Sequence, residues 1–158
     1  MTIEVKRSLG DILSVVVSNE EVNYGDIVAF DCDGKVHTAP FEHGAHFCGV
    51  AAGSVHAHLD KMCVNVFRGG RFYYPLTNWD DWYDSFRVPE KLTGFNAYSY
   101  EPRSVSVEPD KHRETLIVGV FEDVYLENNI WVAGVRIDLA VLQSRGRLNL
   151  FYGAGVDD

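Results

Sequence analysis

Short apolar runs alternate with turn residues along the whole chain. No window of about eleven residues or more repeats its apolar positions at intervals of three and four, so long helices are not expected. The runs are rich in β-branched and aromatic residues, which is typical of an all-β barrel or sandwich with little helix. The predicted strands are Ile12–Val17, Ile27–Phe30, Val36–Ala39, Phe47–Ala51, Met62–Phe67, Arg71–Tyr74, Leu116–Phe121, Ile130–Ile137 and Leu148–Tyr152.

Three pairs of turn residues separate predicted strands. Asp33-Gly34 predicts a two-residue hairpin loop of type I′, in which both central residues have positive φ. Asn128-Asn129 is a weaker signal of the same kind. Gly69-Gly70 predicts a further hairpin between the fifth and sixth predicted strands. One short helix is predicted at Ile137–Ser144.

The length of 158 residues predicts a single β domain, 1–158. Within it, the segment 75–112 contains four of the five prolines, two of the three tryptophans and no long apolar run. We interpret this segment as an insertion or arm, because a structureless loop of that length is uncommon in a compact domain unless it has a function. Its rings are of the types enriched at protein interfaces, although they could equally cap one end of a barrel. The predicted contact residues are Trp79, Trp82, Tyr83, Phe86, Tyr98 and Tyr100.

The net charge of −9 argues against a general nucleic-acid-binding protein, which would need clustered Lys and Arg. The apolar stretch Ile12–Val17 is too short for a signal peptide or a membrane span, so no membrane partner is expected. Cys32, Cys48 and Cys63 form no Cys-x-x-Cys pair. They are predicted to be free, buried thiols of a protein made in a reducing cytosol.

Histidines are concentrated in one stretch, since five of the six lie between His37 and His58. His46, His56 and His58 are the candidate metal ligands, because imidazoles at close spacing can bind zinc, iron, nickel or copper. The segment "GVAAGSVHAHLDKMCVNVFRGG" partly resembles the metal-binding motif of the cupins, with its glycines and its His-x-His. Met62 and Cys63 stand where a cupin would carry its glutamate ligand. A metal-dependent, cupin-like barrel enzyme is therefore an alternative, and solvated or pH-sensitive contact histidines are the simpler interpretation.

Two further features allow other functions. "NWDDWYD" groups three aspartates, but adjacent acids in an exposed loop are more often a solvated face than a pair of catalytic carboxylates. The rings of Trp79 and Trp82 in the same stretch would suit a carbohydrate-binding β module. No catalytic residue and no cofactor is predicted.

The stretch Val22 to Tyr74 has a characteristic order: a Gly-Asp turn into a strand, a tight hairpin, a return strand ending in Ala, a "GVA" strand and a "V-x-V" strand before paired glycines. It resembles the capsid decoration, or cement, proteins of tailed bacteriophages, which are small β-barrel or β-tulip modules that often form trimers. The residues that carry the resemblance are Gly25, Asp26, Val28, Asp33, Gly34, Val36, Ala39, Gly49, Val50, Ala51, Val64, Val66 and Gly69.

The resemblance implies a non-enzymatic structural protein. Such a protein would be a homotrimer on the outer surface of a virion, bound to the major capsid protein and lacking a cofactor. Its contact surfaces would include the aromatic segment and the chain termini.

Overall fold

The computed structural model describes residues 12–17, 21–55, 63–77 and 89–138. These residues form ten strands and one 3-10 turn, and the all-β prediction is confirmed. No helix among the described residues is long and apolar enough to cross a membrane. The elements are β1 (Ile12–Val16), β2 (Ile27–Phe30), β3 (Val36–Thr38), β4 (His46–Ala51), β5 (Cys63–Phe67), β6 (Gly69–Pro75), the 3-10 turn Pro89–Leu92, β7 (Asn96–Glu101), β8 (Ser104–Ser106), β9 (Leu116–Glu127) and β10 (Ile130–Asp138).

The strands form two five-stranded sheets. The first has the order β1-β5-β4-β2-β3 and the second the order β6-β10-β9-β7-β8, with antiparallel pairing between neighbours. Single parallel bridges join Val17 to Val36 and Leu76 to Val105. Each bridge connects the two opposite edges of one sheet, so each sheet curls like part of a barrel.

The main core lies between the two sheets, and β2 shows how the sequence builds it. Ile27 and Ala29 point into the main core, whereas Val28 points to a smaller cluster on the other face of the first sheet. Because β2 is buried on both faces, its sequence is a continuous apolar run and not an alternating one. Large side chains of the second sheet, among them Phe72 and Phe121, fill the main core from the opposite side.

Asp26 connects the two sheets immediately before β2. Its carboxylate is buried and accepts a hydrogen bond of 2.8 Å from Arg103 Nε, in the turn between β7 and β8. Arg103 Nη2 also donates to the carbonyl oxygen of Tyr24 at 2.6 Å. On the neighbouring residue, the carbonyl of Gly25 accepts a bond of 2.9 Å from the buried hydroxyl of Tyr74. The Gly-Asp turn is therefore fixed by residues of the second sheet.

The structure confirms the predicted turn at Asn128-Asn129 and contradicts the predicted turn type at Asp33-Gly34. The Asp33-Gly34 hairpin exists, but only Gly34 has positive φ, so the predicted type I′ loop is wrong there. Asp31 Oδ1 accepts hydrogen bonds of 2.9 Å from the amides of Asp33 and Lys35, which stabilises a three-residue loop instead. Positive φ at two consecutive central residues occurs at Asn128-Asn129, between β9 and β10, where both residues are left-handed and the loop is of type I′.

Gly69-Gly70 does not close a hairpin. β5 pairs with β1 and β4 in the first sheet, whereas β6 pairs with β10 in the second. Only Arg68 lies between the two strands, so the chain crosses from one sheet to the other within one residue. The faces of the strands explain this, because Val64 and Val66 of β5 belong to the smaller cluster and not to the main core that β6 covers.

The segment 75–112 supplies two strands that the sequence did not predict. β7 and β8 belong to the second sheet, and Leu92, Ala97 and Val105 are buried in the main core. Residues 78–88 of the segment lie outside the described residues, as do the predicted strand Leu148–Tyr152 and the predicted helix beyond Asp138. Ile137 and Asp138 themselves belong to β10.

At Gly49, β4 approaches β5 so closely that there is no room for a side chain. A Cβ atom at this position would overlap the carbonyl oxygen of Phe67 and lie 2.7 Å from Val66 Cγ1, and the backbone φ is +152°. We expect Gly49→Ala to lower the free energy of unfolding by about 2–4 kcal/mol through overpacking and backbone strain. Gly53→Ala is the matched control, because no atom lies within 4 Å of its added Cβ. Urea denaturation measures both variants, and equal stability of the two would contradict the close approach.

The cysteines provide a second test of the core. Burial raises the pKa of the Cys48 thiol to about 12, whereas Cys32 and Cys63 are exposed, contrary to the prediction that all three are buried. Because the thiolate is the reactive form, a thiol reagent at about pH 8 should modify Cys32 and Cys63 in the native protein. Cys48 should react only after denaturation. Reaction of all three thiols at one rate in the native protein would show that the site around Cys48 is open.

Candidate interaction surface

The β9–β10 hairpin is longer than the core that it covers. Residues 116–121 of β9 are buried, whereas residues 122–127 are exposed or half-buried. Beyond the core, the hairpin presents Leu126 (54% exposed), Ile130 (51%) and Tyr125 (38%). We call these three residues the hairpin tip. Large apolar side chains at the end of a projecting element are a contact surface more often than a folding requirement.

Both faces of the hairpin tip are apolar. Leu126 lies directly opposite Trp131, which packs against the main core, so Leu126 continues the core-facing side into solvent. Tyr125 lies opposite Val132 on the other face, and its ring is 5.9 Å from the ring of Tyr73. Ile130 shares that outer face because it pairs with Glu127, two residues beyond Tyr125.

Charged side chains hold the base of the hairpin. Glu122 is the extra residue of a β-bulge, and its carboxylate accepts from Arg71 Nε at 2.7 Å and lies 3.4 Å from Arg136 Nε. Arg71 and Arg136 are direct cross-strand partners, so Glu122 offsets the repulsion between two like charges. Next to this group, Tyr73 donates a hydrogen bond of 3.2 Å to Asp123 Oδ2.

The type I′ loop and the bulge therefore fix the hairpin at its two ends. The hairpin tip was not predicted from the sequence, because the predicted strand ends at Phe121. A signal for it was present, since the alternation continues through "VYLE" to the Asn-Asn turn.

Two of the predicted contact rings lie among the described residues. Tyr98 is half-buried and packs against the main core, and Tyr100 is buried, with the guanidinium Cζ of Arg113 4.6 Å from its ring centre. Burial raises the pKa of Tyr100. Both rings therefore contribute to the packing of β7. Four predicted contact residues lie outside the described residues, and their role stays a prediction: Trp79, Trp82, Tyr83 and Phe86.

A shallow polar depression of about 220 Å³ lies beside Tyr100, in the loop between β8 and β9. Burial raises the pKa of Glu108 in its wall, and the opposing charge of Lys111 lowers it in part. The depression is a feature of this loop and is separate in sequence from the hairpin tip. Its lining consists of Tyr100, Ser106, Glu108, Pro109, Asp110, Lys111 and His112.

Of the three candidate metal ligands, the structure describes only His46, so the predicted ligand set stays a prediction. His46 begins β4 and is exposed, while His56 and His58 lie outside the described residues. His43 Nδ1 is 3.0 Å from Glu114 Oε1, and the His43 side chain is exposed whereas that of Glu114 is largely covered. A different histidine, His37, is buried in β3 close to two carboxylates.

Comparison with known proteins adds no relative. No family model matches the chain, and no curated protein is significantly similar to it.

The hairpin tip makes a prediction about stability. We expect the double variant Leu126→Ser, Ile130→Ser to change the free energy of unfolding by no more than about 1 kcal/mol, because both residues are half exposed and lie beyond the main core. Phe121→Ala, in the buried half of the same strand, should lower it by about 3–5 kcal/mol. Thermal or urea denaturation measures both. A large loss in the double variant would assign the tip to folding and not to contact.

Proposed function

We propose that this protein is a non-enzymatic structural protein that binds the outside of a tailed-phage capsid and stabilises it. In this proposal it acts as a homotrimer whose partner is the major capsid protein. The resemblance of Val22 to Tyr74 to capsid decoration proteins suggested the idea. The observation that carries it is the hairpin tip, where Tyr125, Leu126 and Ile130 project beyond the core.

A projecting hairpin suits this role because its backbone is already ordered. Association loses free energy when loops and side chains become fixed, and a hairpin closed by a type I′ loop and braced at Glu122 has little backbone freedom left to lose. Its apolar side chains can therefore contribute most of their burial energy to binding.

Three side chains make only a small contact. A stable interface typically buries about 800 Å² on each partner, which needs roughly 20–30 residues a side. A trimer presents three copies of the tip, so each capsomer contact would be repeated by symmetry. In this proposal Trp79, Trp82, Tyr83 and Phe86 add further anchors.

Stabilisation would follow from mass action. A protein that binds the assembled capsid and not its separated subunits shifts the equilibrium toward assembly. The net charge of −9 suits a protein that must remain soluble at high concentration before it finds its partner.

Light scattering and capsid binding test the proposal. The purified protein should have three times the mass of one chain, and it should bind capsids that lack it and raise their disassembly temperature. The Leu126→Ser, Ile130→Ser variant should bind at least tenfold more weakly. Phe95→Ser is the matched control, because Phe95 is equally exposed (53%) but lies outside the hairpin, and it should bind normally.

Other results would contradict the proposal. A strict monomer that ignores capsids would exclude the decoration role. Glycan binding that is lost in Trp79→Ala would favour the carbohydrate-binding alternative. Turnover of a small substrate that depends on His56 and His58 would favour the cupin-like enzyme.

A further inference from the structure

Three potential metal ligands meet at the end of the β2–β3 hairpin. Asp31, His37 and Glu42 each offer one ligand atom, and these atoms all lie within 4.8 Å of one another. His37 is 4% exposed, Asp31 is half-buried and Glu42 is exposed. The group thus runs from the buried face of the sheet to solvent.

The hairpin register brings these residues together. His37 lies directly opposite Ala29, whose side chain belongs to the main core, so the imidazole lies on the core-facing side of β3. Asp31 follows β2 at the start of the hairpin loop. Glu42 reaches the same place from the next turn, where its carbonyl accepts a hydrogen bond of 3.1 Å from the amide of Ala45.

Two of the three ligands are already oriented. His37 Nδ1 lies 3.1 Å from the carbonyl oxygen of Thr38, and because a carbonyl can only accept, Nδ1 carries the proton. In the neutral ring the lone pair is then on Nε2, the arrangement that metal-bound histidines use. Asp31 Oδ1 accepts hydrogen bonds from the amides of Asp33 and Lys35, which fixes the orientation of the carboxylate.

The chemistry of the donors selects the class of ion. Mg²⁺ and Ca²⁺ favour sites made of oxygen ligands alone, whereas one imidazole with two carboxylates suits Zn²⁺ and similar first-row ions. Such an ion binds its ligands at about 2.0–2.2 Å, so the donors would need to approach one another by roughly 1 Å or more. Glu42 can supply that movement because its side chain is exposed.

We propose that Asp31, His37 and Glu42 form a binding site for one divalent transition-metal ion of the Zn²⁺ class. The ion would join the β2–β3 hairpin to the loop that contains Phe41 and Ala45, both of which are buried in the main core. It would therefore stabilise the end of the first sheet. The proposal does not depend on capsid binding.

Titration calorimetry with ZnCl₂ tests the site on the full-length protein after removal of metal with a chelator. We expect one saturable equivalent of Zn²⁺, a higher unfolding temperature with Zn²⁺ and little response to MgCl₂ at the same concentration. Asp31→Asn and Glu42→Gln should each weaken Zn²⁺ binding at least tenfold. Both changes are isosteric, and in Asp31→Asn the amide oxygen of the new side chain can still accept the two loop hydrogen bonds.

Two controls separate this site from other zinc-binding groups. Asp33→Asn makes the same change of charge within the same hairpin but outside the ligand group, and it should bind Zn²⁺ normally. The His56→Ala, His58→Ala variant removes the ligands expected from the cupin-like motif and should also bind normally.

The proposal is overturned if no saturable Zn²⁺ binding occurs, if Asp31→Asn and Glu42→Gln bind as tightly as the unmodified protein, or if binding is lost with His56 and His58. Because capsid binding is measured separately, its failure and the failure of the metal site can be told apart.

Discussion

The charge-assisted hydrogen bond between Arg103 and Asp26 is the interaction on which the alignment of the two sheets depends. Apolar packing holds the sheets together, but it is non-directional and would tolerate a sliding of one sheet over the other. A buried carboxylate is different, because it must keep its partners or suffer a large desolvation penalty. Asp26 binds Arg103 through Oδ1 and the amide of Asn23 through Oδ2, and the adjacent amide of Ile27 donates to the carbonyl of Pro102 at 2.8 Å. These bonds fix one end of β2 against the β7–β8 turn. The main core lies between the two sheets that they align.

The unequal lengths of the strands determine where the two candidate sites lie. β2 and β3 have four and three residues, whereas β9 has twelve. The main core covers only the first half of β9, so the remainder projects as the hairpin that carries Leu126 and Ile130. In the first sheet, the buried His37 lies in the short edge strand β3, next to carboxylates from the adjoining loops. The two candidate sites thus arise from the same mismatch between sheet length and core size.

Strand β2 could be predicted from the sequence, whereas β7 could not. Ile27–Phe30 is apolar throughout, whereas Asn96–Glu101 consists of Asn, Ala, Tyr, Ser and Glu and has no aliphatic run. The role of Gly69-Gly70 was also ambiguous, because paired glycines permit either a hairpin or a crossing between sheets. The packing of Val64 and Val66 in the smaller cluster favours the crossing. The hairpin tip could be predicted only by knowing where β9 ends. The group of Asp31, His37 and Glu42 could be predicted only by knowing the register of β2 with β3. Residues that strand pairing brings together cannot be found by looking for ligands close to one another in the sequence.

The two single bridges that curl the sheets also limit how the protein can associate. A sheet with open edges can recruit another chain by adding a strand, and such growth is difficult to stop. Here the bridge from Val17 to Val36 and that from Leu76 to Val105 turn the ends of each sheet toward one another, so some of the edge groups are already used within the chain. Association through side chains, in contrast, is finite in extent and can be strengthened or removed one residue at a time.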